Sequence, residues 1–433
     1  MAHDTVRPVY KTMVYGAGEV PGTLAKTVAA ILYLYYLTDI IRMEPATAGS
    51  ICMAGRIWGA YADIRIERLG AGLKTRWGRW RPWFLFSAMP LGGLFALLWT
   101  PAPLFTGSTP VYHAFLFFLF MTALSAYYSP YYSFVGEAAS RTGHGTGITF
   151  WRVLFSFVFG LAAAAVPKII ADSYQVQAMG FTVAGIVSGT VITLSALLIF
   201  ILTSEYPACR NEPAGTFSCT GFFSMLRNRS FVCLMTVYAG SFAGINILEG
   251  FVLYYMKYWI GREGDMPLML VSVIVSSALT VPIWGILCRK IGKKYTLCAG
   301  LVFWAGTQLL WYKMTGGTPF VLVYAAGAII GIGYGCVHVV PAMMQTDVCD
   351  EEEVRTGQRR DKEIAGTISF VTKTGNALSF LVMGLVLQLS GYTPGIGPER
   401  LSVIASTMTF GPLAFILIAI TASIIYPSTR KSA

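Results

Sequence analysis

Apolar stretches long enough to cross a bilayer recur from one end of this 433-residue chain to the other. A hydrocarbon core of about 30 Å takes roughly 20 helical residues to span. Stretches of that kind lie at 20–41, 45–64, 82–100, 112–137, 148–171, 180–203, 229–258, 266–288, 295–314, 319–346, 364–390 and 402–426. Lipid offers no partner to backbone N–H and C=O groups, so only helices or a closed barrel can cross it. A barrel would need strands of about ten residues with alternating polarity, and the chain has no such pattern. The fold class that follows is an all-α membrane protein with twelve transmembrane helices.

Composition agrees, since 55% hydrophobic and 12% charged residues leave too little polar surface to coat a water-soluble globule. With the N-terminus in the cytoplasm, most lysines and arginines fall in inner loops, which places both termini inside a multi-pass cytoplasmic (inner) membrane protein. The net charge of +11 then reflects topology and attraction to anionic membrane lipids. A nucleic-acid partner is not expected, because no folded basic module accompanies the charge. The opening residues lack the apolar core and small-residue cleavage site of a signal peptide, so the first span is expected to be retained. None of the eight cysteines falls on the outer side, and all are expected to be reduced. His3, His113, His144 and His338 are scattered, and there is no metal-spaced His/Cys cluster, G-x-S-x-G or phosphate loop. Neither an enzyme, an ATP-driven pump nor a cofactor is expected.

The longest polar connection, "SEYPACRNEPAGTFSCTGFFSMLRNRS", divides the chain into an N-terminal six-helix half (1–203), a central cytoplasmic loop (204–228) and a C-terminal six-helix half (229–433). Within each half, a short basic loop with glycine follows the second span: "LGAGLKTRWGRWRP" with Arg76, Gly78, Arg79 and Arg81, and "GILCRKIGKKY" with Gly285, Arg289, Gly292 and Lys293. These loops resemble the signature loop of the major facilitator superfamily, whose role is to stabilise one packing of two halves; plain positive-inside anchoring is the alternative. In "GAIIGIGYG", Gly327, Gly331 and Gly335 share one helix face, which favours close packing within one half over a hinge.

A narrower likeness is carried by "YGAGE" (15–19), "YYLTD" (35–39), "RIWGAYAD" (56–63), "TRWGRWRPW" (75–83), "YYSPYYSF" (127–134) and "DVCDEEEVRTGQRR" (347–360, with Asp347, Asp350 and Arg359). Together they are similar to the glycoside–pentoside–hexuronide cation symporters, the melibiose-permease family. The resemblance implies a sugar or sugar conjugate carried by alternating access together with H⁺, Na⁺ or Li⁺, by a monomer. Of the acids that this family uses for its cation, Asp63 is kept, while Gly59, Thr23 and Tyr128 stand at the other positions. A Na⁺ cage needs about six oxygen ligands, so a proton is favoured over Na⁺.

Arg56, Arg152 and Lys373 match basic residues of the family. A cation within a span is costly unless it faces water or an acid, and Asp63 is the expected partner. An Asp63–Lys373 pair would then act as a switch between the halves. Glu249 has no counterpart in the family and reads either as a proton site or as a hydrogen-bonded structural glutamate. Tyr128, Tyr132, Trp151 and His338, with Arg152, Arg56 and Thr23, form the expected substrate set, the aromatic faces stacking on sugar C–H patches. The excess of cations suits an acidic sugar such as a hexuronide. A lysolipid or another organic anion is the rival substrate, and an uncoupled uniporter or sensor with the same fold is the rival role.

Overall fold

The computed structural model describes residues 2–73, 75–101, 109–142, 145–204, 224–357, 360–393, 397–398 and 401–427. They form α1 (Ala2–Ala17), α2 (Glu19–Tyr35), α3 (Pro45–Gly72), α4 (Arg81–Leu98), α5 (Thr109–Thr142), α6 (Gly145–Asp172), α7 (Gln177–Leu202) and α8 (Arg229–Tyr254). These are followed by α9 (Met266–Ile291), α10 (Lys293–Tyr312), α11 (Phe320–Thr356), α12 (Asp361–Leu389) and α13 (Leu401–Ile425). Every expected span falls on helix; the first, 20–41, is α2 with the π-helical turn Tyr36–Ile40, and α1 precedes it. By length and apolarity, 10 helical segments qualify as spans. The segments that do not are α3, which carries Arg56, Asp63, Arg65, Glu67 and Arg68, and α10, which opens on Lys293 and Lys294.

The chain divides into two compact units, Met1–Met43 with Ala54–Ala214, and Glu44–Met53 with Gly215–Ala433. In the first unit α4 packs on α5 and α7, and α2 packs on α6 and α7. Small residues set these distances: a Cβ on Gly92 or on Gly189 would collide with the other glycine's carbonyl. Along α3, Gly55 and Gly59 lie against Phe117 and Met121 of α5. One turn further, Ser125 Oγ donates to Gly59 O (3.1 Å) and Ser129 Oγ to Asp63 O (3.4 Å). A Cβ at Gly59 would lie 2.6 Å from Met121 Cε, the flexible end of that side chain.

In the second unit the glycine stripe of α11 seats on α9. Cβ atoms added at Gly327, Gly331 and Gly335 would press on the carbonyls of Met269, Val273 and Ser277, also spaced by four. Helix α8 packs on α11, α12 and α13. Both α2 and α8 end in a π-helical turn, Tyr36–Ile40 and Tyr255–Trp259, each preceded by a Leu-Tyr pair (34–35 and 253–254). That shared ending is a repeat of structure between the units.

The basic loops repeat as well. Arg79 Nη2 pairs with Glu137 Oε1 (3.0 Å), which also accepts from Trp80 Nε1 (3.0 Å), and Arg81 Nη2 donates to Phe200 O (2.7 Å) at the end of α7. In the second unit Lys293 Nζ pairs with Asp347 Oδ1 (2.6 Å) and donates to Met343 O (2.7 Å), while Lys294 Nζ donates to Tyr426 O (2.6 Å) just past α13. Each loop thus holds one acid on a long helix and fills an open carbonyl at a helix C-terminus, where a cation is favoured. Arg76 lies over the Trp77 ring (4.7 Å), and Arg289 sits in the last turn of α9. Gly78 (φ 103°) and Gly292 (φ 90°) make the turns that side-chain-bearing residues resist. Asp350 is exposed on α11, and Arg359 lies outside the described residues. The six described cysteines are free thiols; Cys209 and Cys219 lie outside the described residues.

Gly331→Ala is expected to lower the thermal unfolding midpoint in detergent, because overpacking against the Val273 carbonyl costs about 1–3 kcal/mol. Gly285→Ala, with no atom within 4 Å of the new methyl, is expected to leave it unchanged. Equal midpoints for the two variants would contradict this packing.

Candidate functional site

The site begins with a break in the first span. Pro21 has no N–H and its ring crowds the carbonyl four residues back, so α1 stops at Ala17 and α2 starts afresh at Glu19. Backbone carbonyls loosened inside a membrane need donors, and tyrosines of α5 supply them. Tyr131 Oη donates to Tyr15 O (3.0 Å) and Gly16 O (3.3 Å), and Tyr127 Oη donates to Gly18 O (2.8 Å). Glycines make the approach possible: a Cβ on Gly18 would enter the Tyr131 ring, and one on Gly22 would enter the Tyr128 ring. A Cβ on Gly16 would lie 2.5 Å from Trp151 Cβ and 2.9 Å from Arg152 N.

The carboxylate this break presents belongs to Glu19, whose side chain is only 6% exposed. Its position in the first turn of α2 suits an anion. Oε1 accepts a short hydrogen bond from Tyr128 Oη and a second from Tyr132 Oη (3.2 Å), and Oε2 accepts from Arg152 Nε (3.0 Å). Lys26 Nζ donates to Tyr128 Oη (3.3 Å) and lies 4.7 Å from that ring's centre. The Arg152 guanidinium lies 4.6 Å over Tyr132 and 5.7 Å from Tyr131.

Arg152 is thus gripped on one edge and one face. Among the described residues its Nε is the only nitrogen in a hydrogen bond, and its side chain is 22% exposed, so the terminal Nη1 and Nη2 groups hold no partner. Tyr132 beside it is 42% exposed. A planar fork of two N–H donors, fixed from behind, matches the two oxygens of a carboxylate or phosphate. A tyrosine face next to it offers the apolar surface that a pyranose ring stacks on.

Several expectations change on this geometry. Thr23, read as the substitute for the first-helix acid, is buried with its methyl 3.7 Å from the Cβ position of Gly160, and α2 carries a further carboxylate, Glu19, one helical turn earlier. The partner of Arg152 is Glu19, not Asp63. Tyr128, which stands where the resembled family has an acid, donates to Glu19. The site is also less positive than Arg152 alone suggests, because Glu19 neutralises it. Trp151 is half-buried and packs beside Gly16 and against Phe150 and Phe155 (5.6 and 5.9 Å between ring centres). The signal for Glu19 was present in "YGAGEVPG": an acid between glycines and two residues before a helix-breaking proline.

The other expected residues lie elsewhere. Arg56 and Asp63 are half-buried on α3 in the first unit, and Lys373 is half-buried on α12 in the second. In the second unit, Glu249 Oε1 accepts from Tyr334 Oη (2.8 Å). The His338 ring lies 4.7 Å from Tyr334 and 5.3 Å, edge to face, from Phe242. His338 therefore lies beside Tyr334, the donor to Glu249, within the second unit.

Removing Glu19 strands a guanidinium and two hydroxyls. Glu19→Ala is expected to destabilise the protein by about 3 kcal/mol, the scale for breaking one side of a buried ion pair. The double variant Glu19→Ala/Arg152→Ala should lose less than the two single losses added together. Thermal unfolding of all four proteins in one detergent checks this, and strictly additive losses would refute the pairing.

Known proteins place this architecture. The family described as MFS/sugar transport protein matches residues 14–430. A glucuronide carrier protein homolog of Escherichia coli (strain K12) is 27% identical over 98% of this chain and 93% of its own length. A sodium-dependent lysophosphatidylcholine symporter 1-A of Danio rerio is 21% identical over 97% of this chain and 86% of its own. Among solved structures, the nucleoside transporter NupG superposes with a TM-score of 0.70 at 14% identity, covering 96% of this chain and 99% of its own, which speaks to the fold alone. These likenesses agree with the resemblance to the glycoside–pentoside–hexuronide symporters. Helices long and apolar enough to span a bilayer and a family match over nearly the whole length lead to one conclusion: the chain belongs to the MFS/sugar transport family and is a multi-pass membrane transporter of the major facilitator type.

Proposed function

We propose that this transporter carries a sugar acid or its glycoside, a hexuronide in the simplest case, across the cytoplasmic membrane by alternating access, coupled to a proton. The observation that carries the reading is the Arg152 fork: a guanidinium held at Nε by Glu19 and stacked on Tyr132, with neither terminal amino group hydrogen-bonded to another of the described residues. A substrate carboxylate supplies the two oxygens that this fork lacks, and the sugar ring lies along Tyr132. The 27% identity to a protein named as a glucuronide carrier homolog supports the same substrate class.

Proton coupling is favoured over Na⁺ by the state of Glu19. Its two oxygens already receive three donated hydrogens, from Tyr128, Tyr132 and Arg152. An oxygen engaged with N–H and O–H donors turns its lone pairs away from a metal ion, whereas a Na⁺ site needs about six free oxygen ligands. Among the described residues no group of three or more His, Cys, Asp and Glu could hold a metal ion.

A phosphate would also fit the fork, and a relative is named as a lysophosphatidylcholine symporter, so a lysolipid belongs in the test. Purified protein in proteoliposomes is expected to accumulate glucuronate and glucuronides under an inward proton gradient, with little response to Na⁺, and to pass over neutral glucosides. Arg152→Lys keeps the charge but removes the fork, and it should cut uronide uptake by about tenfold or more, the value of a bidentate charge-assisted contact. Uptake of lysophosphatidylcholine with no uronide uptake, or full uronide uptake by Arg152→Lys, would overturn the reading.

A further inference from the structure

An empty site and one holding an organic acid differ by one negative charge, and the Glu19 cluster has to absorb it. Without substrate, Glu19 and Arg152 form an ion pair within the span Tyr10–Ile40 and its neighbour, their side chains 6% and 22% exposed. A substrate carboxylate on Nη1 and Nη2 puts a second anion on the same guanidinium. Two carboxylates then flank one cation at membrane depth, where an uncompensated charge is costly. Two carboxylates sharing a site are relieved when one of them takes a proton.

The donors decide which one takes it. The substrate oxygens face two N–H groups, which can only donate and so call for a fully ionised acceptor. Glu19 Oε1 instead faces two hydroxyls, those of Tyr128 and Tyr132, while Oε2 accepts from Arg152 Nε (3.0 Å). A hydroxyl turns from donor to acceptor by rotating about its C–O bond. Tyr132 is placed to do so: it is 42% exposed, its bond to Oε1 is the longer of the two at 3.2 Å, and its ring lies under the Arg152 guanidinium beside the substrate's place. Tyr128 Oη already accepts from Lys26 Nζ (3.3 Å) and stays a donor to Glu19.

We infer that Glu19 is the proton-binding carboxylate of this transporter and that the anionic substrate is what loads it, because both carboxylates answer to the single charge of Arg152. A proton from water at the exposed edge of Tyr132 binds Glu19 Oε1. The new O–H donates to Tyr132 Oη, whose own hydrogen turns toward the bound sugar. Arg152 Nε keeps its bond to Oε2. The water has lost a proton, the Glu19 carboxyl is neutral, and the loaded site carries the same charge as the empty one. Anion and proton therefore cross one for one, with no net charge moved.

The neighbouring elements leave this difference of one charge intact. Helix α2 packs on α5, α6, α7 and its own π turn. From α5 come Tyr127, Tyr128, Tyr131 and Tyr132; Glu137 of the same helix holds Arg79, and His113 lies about four turns before Tyr128. On α6, Lys168 pairs with Asp172 about four turns from Arg152. Helix α7 has no titratable side chain between Gln177 and Leu202, and Asp39 of the π turn is about 30 Å along the helix from Glu19. Lys26, two turns along α2, is exposed and reaches the cluster through Tyr128 Oη. Its charge is the same before and after the substrate arrives.

This inference rests on the reading of the substrate as an organic acid, and its test tells the two apart. Calorimetric titration of the wild type with glucuronate near neutral pH, in two buffers of different ionisation enthalpy, counts the protons taken up. About one proton per bound glucuronate is expected, and the dissociation constant should rise about tenfold per pH unit. In Glu19→Gln, whose amide oxygen can still accept from Arg152 Nε, proton uptake and the pH dependence of the constant should both be lost, whatever the affinity. In proteoliposomes, wild-type accumulation of glucuronate should follow the pH gradient and ignore a membrane potential set with K⁺ and valinomycin. Glucuronate bound by the wild type without proton uptake, uptake that persists in Glu19→Gln, or accumulation driven by the potential alone would overturn the inference and leave the substrate class standing. No glucuronate binding by the wild type would overturn both.

Discussion

A carboxylate inside a membrane protein persists only where hydrogens and positive charge are brought to it, and the first unit is arranged around that requirement. The first span breaks at Gly18, directly before Glu19, with Pro21 two residues on; glycines on either side clear room, and α5 and α6 deliver two tyrosine hydroxyls and an arginine to the opening. Tyr127 and Tyr131 meanwhile donate to the carbonyls that the break loosens. The result is an ion pair fixed from behind whose arginine keeps two donors in reserve. Removing any one part leaves a polar group in an apolar setting without compensation, which is a cost of several kcal/mol for a charged group.

The second unit repeats the frame without repeating this cluster. Both units end an early helix in a π turn, and both use a basic loop to hold an acid and to fill a helix C-terminus. Such shared supports carry different central residues: Glu19 and Arg152 in the first unit, Glu249 with Tyr334 in the second.

Much of the architecture was legible in the sequence, because span length and backbone satisfaction in lipid are constraints that apolarity alone reveals. The glycine stripe of α11 was legible for the same reason: spacing by four admits one packing face, and α9 fills it. The centre of the site was not. Glu19 was not singled out, because no charge pattern along the chain shows that Tyr128, Tyr132 and Arg152 converge on it. Arg152 was found as a charge that demanded a partner, but which acid answers it depends on how α2 and α6 meet, and that is set by Pro21 and Gly16 rather than by any charge pattern. Gly59 looked like the loss of a ligand and is equally a contact with Met121.

The account turns on whether the unpaired edge of Arg152 receives the carboxylate of the substrate. An experimental structure of the protein with bound glucuronate measures this directly. The carboxylate is expected within hydrogen-bond distance of Arg152 Nη1 and Nη2, with the sugar ring on Tyr132 and Glu19 still bonded to Nε. A glucuronate held by other residues, with the Arg152 fork left open, would contradict it.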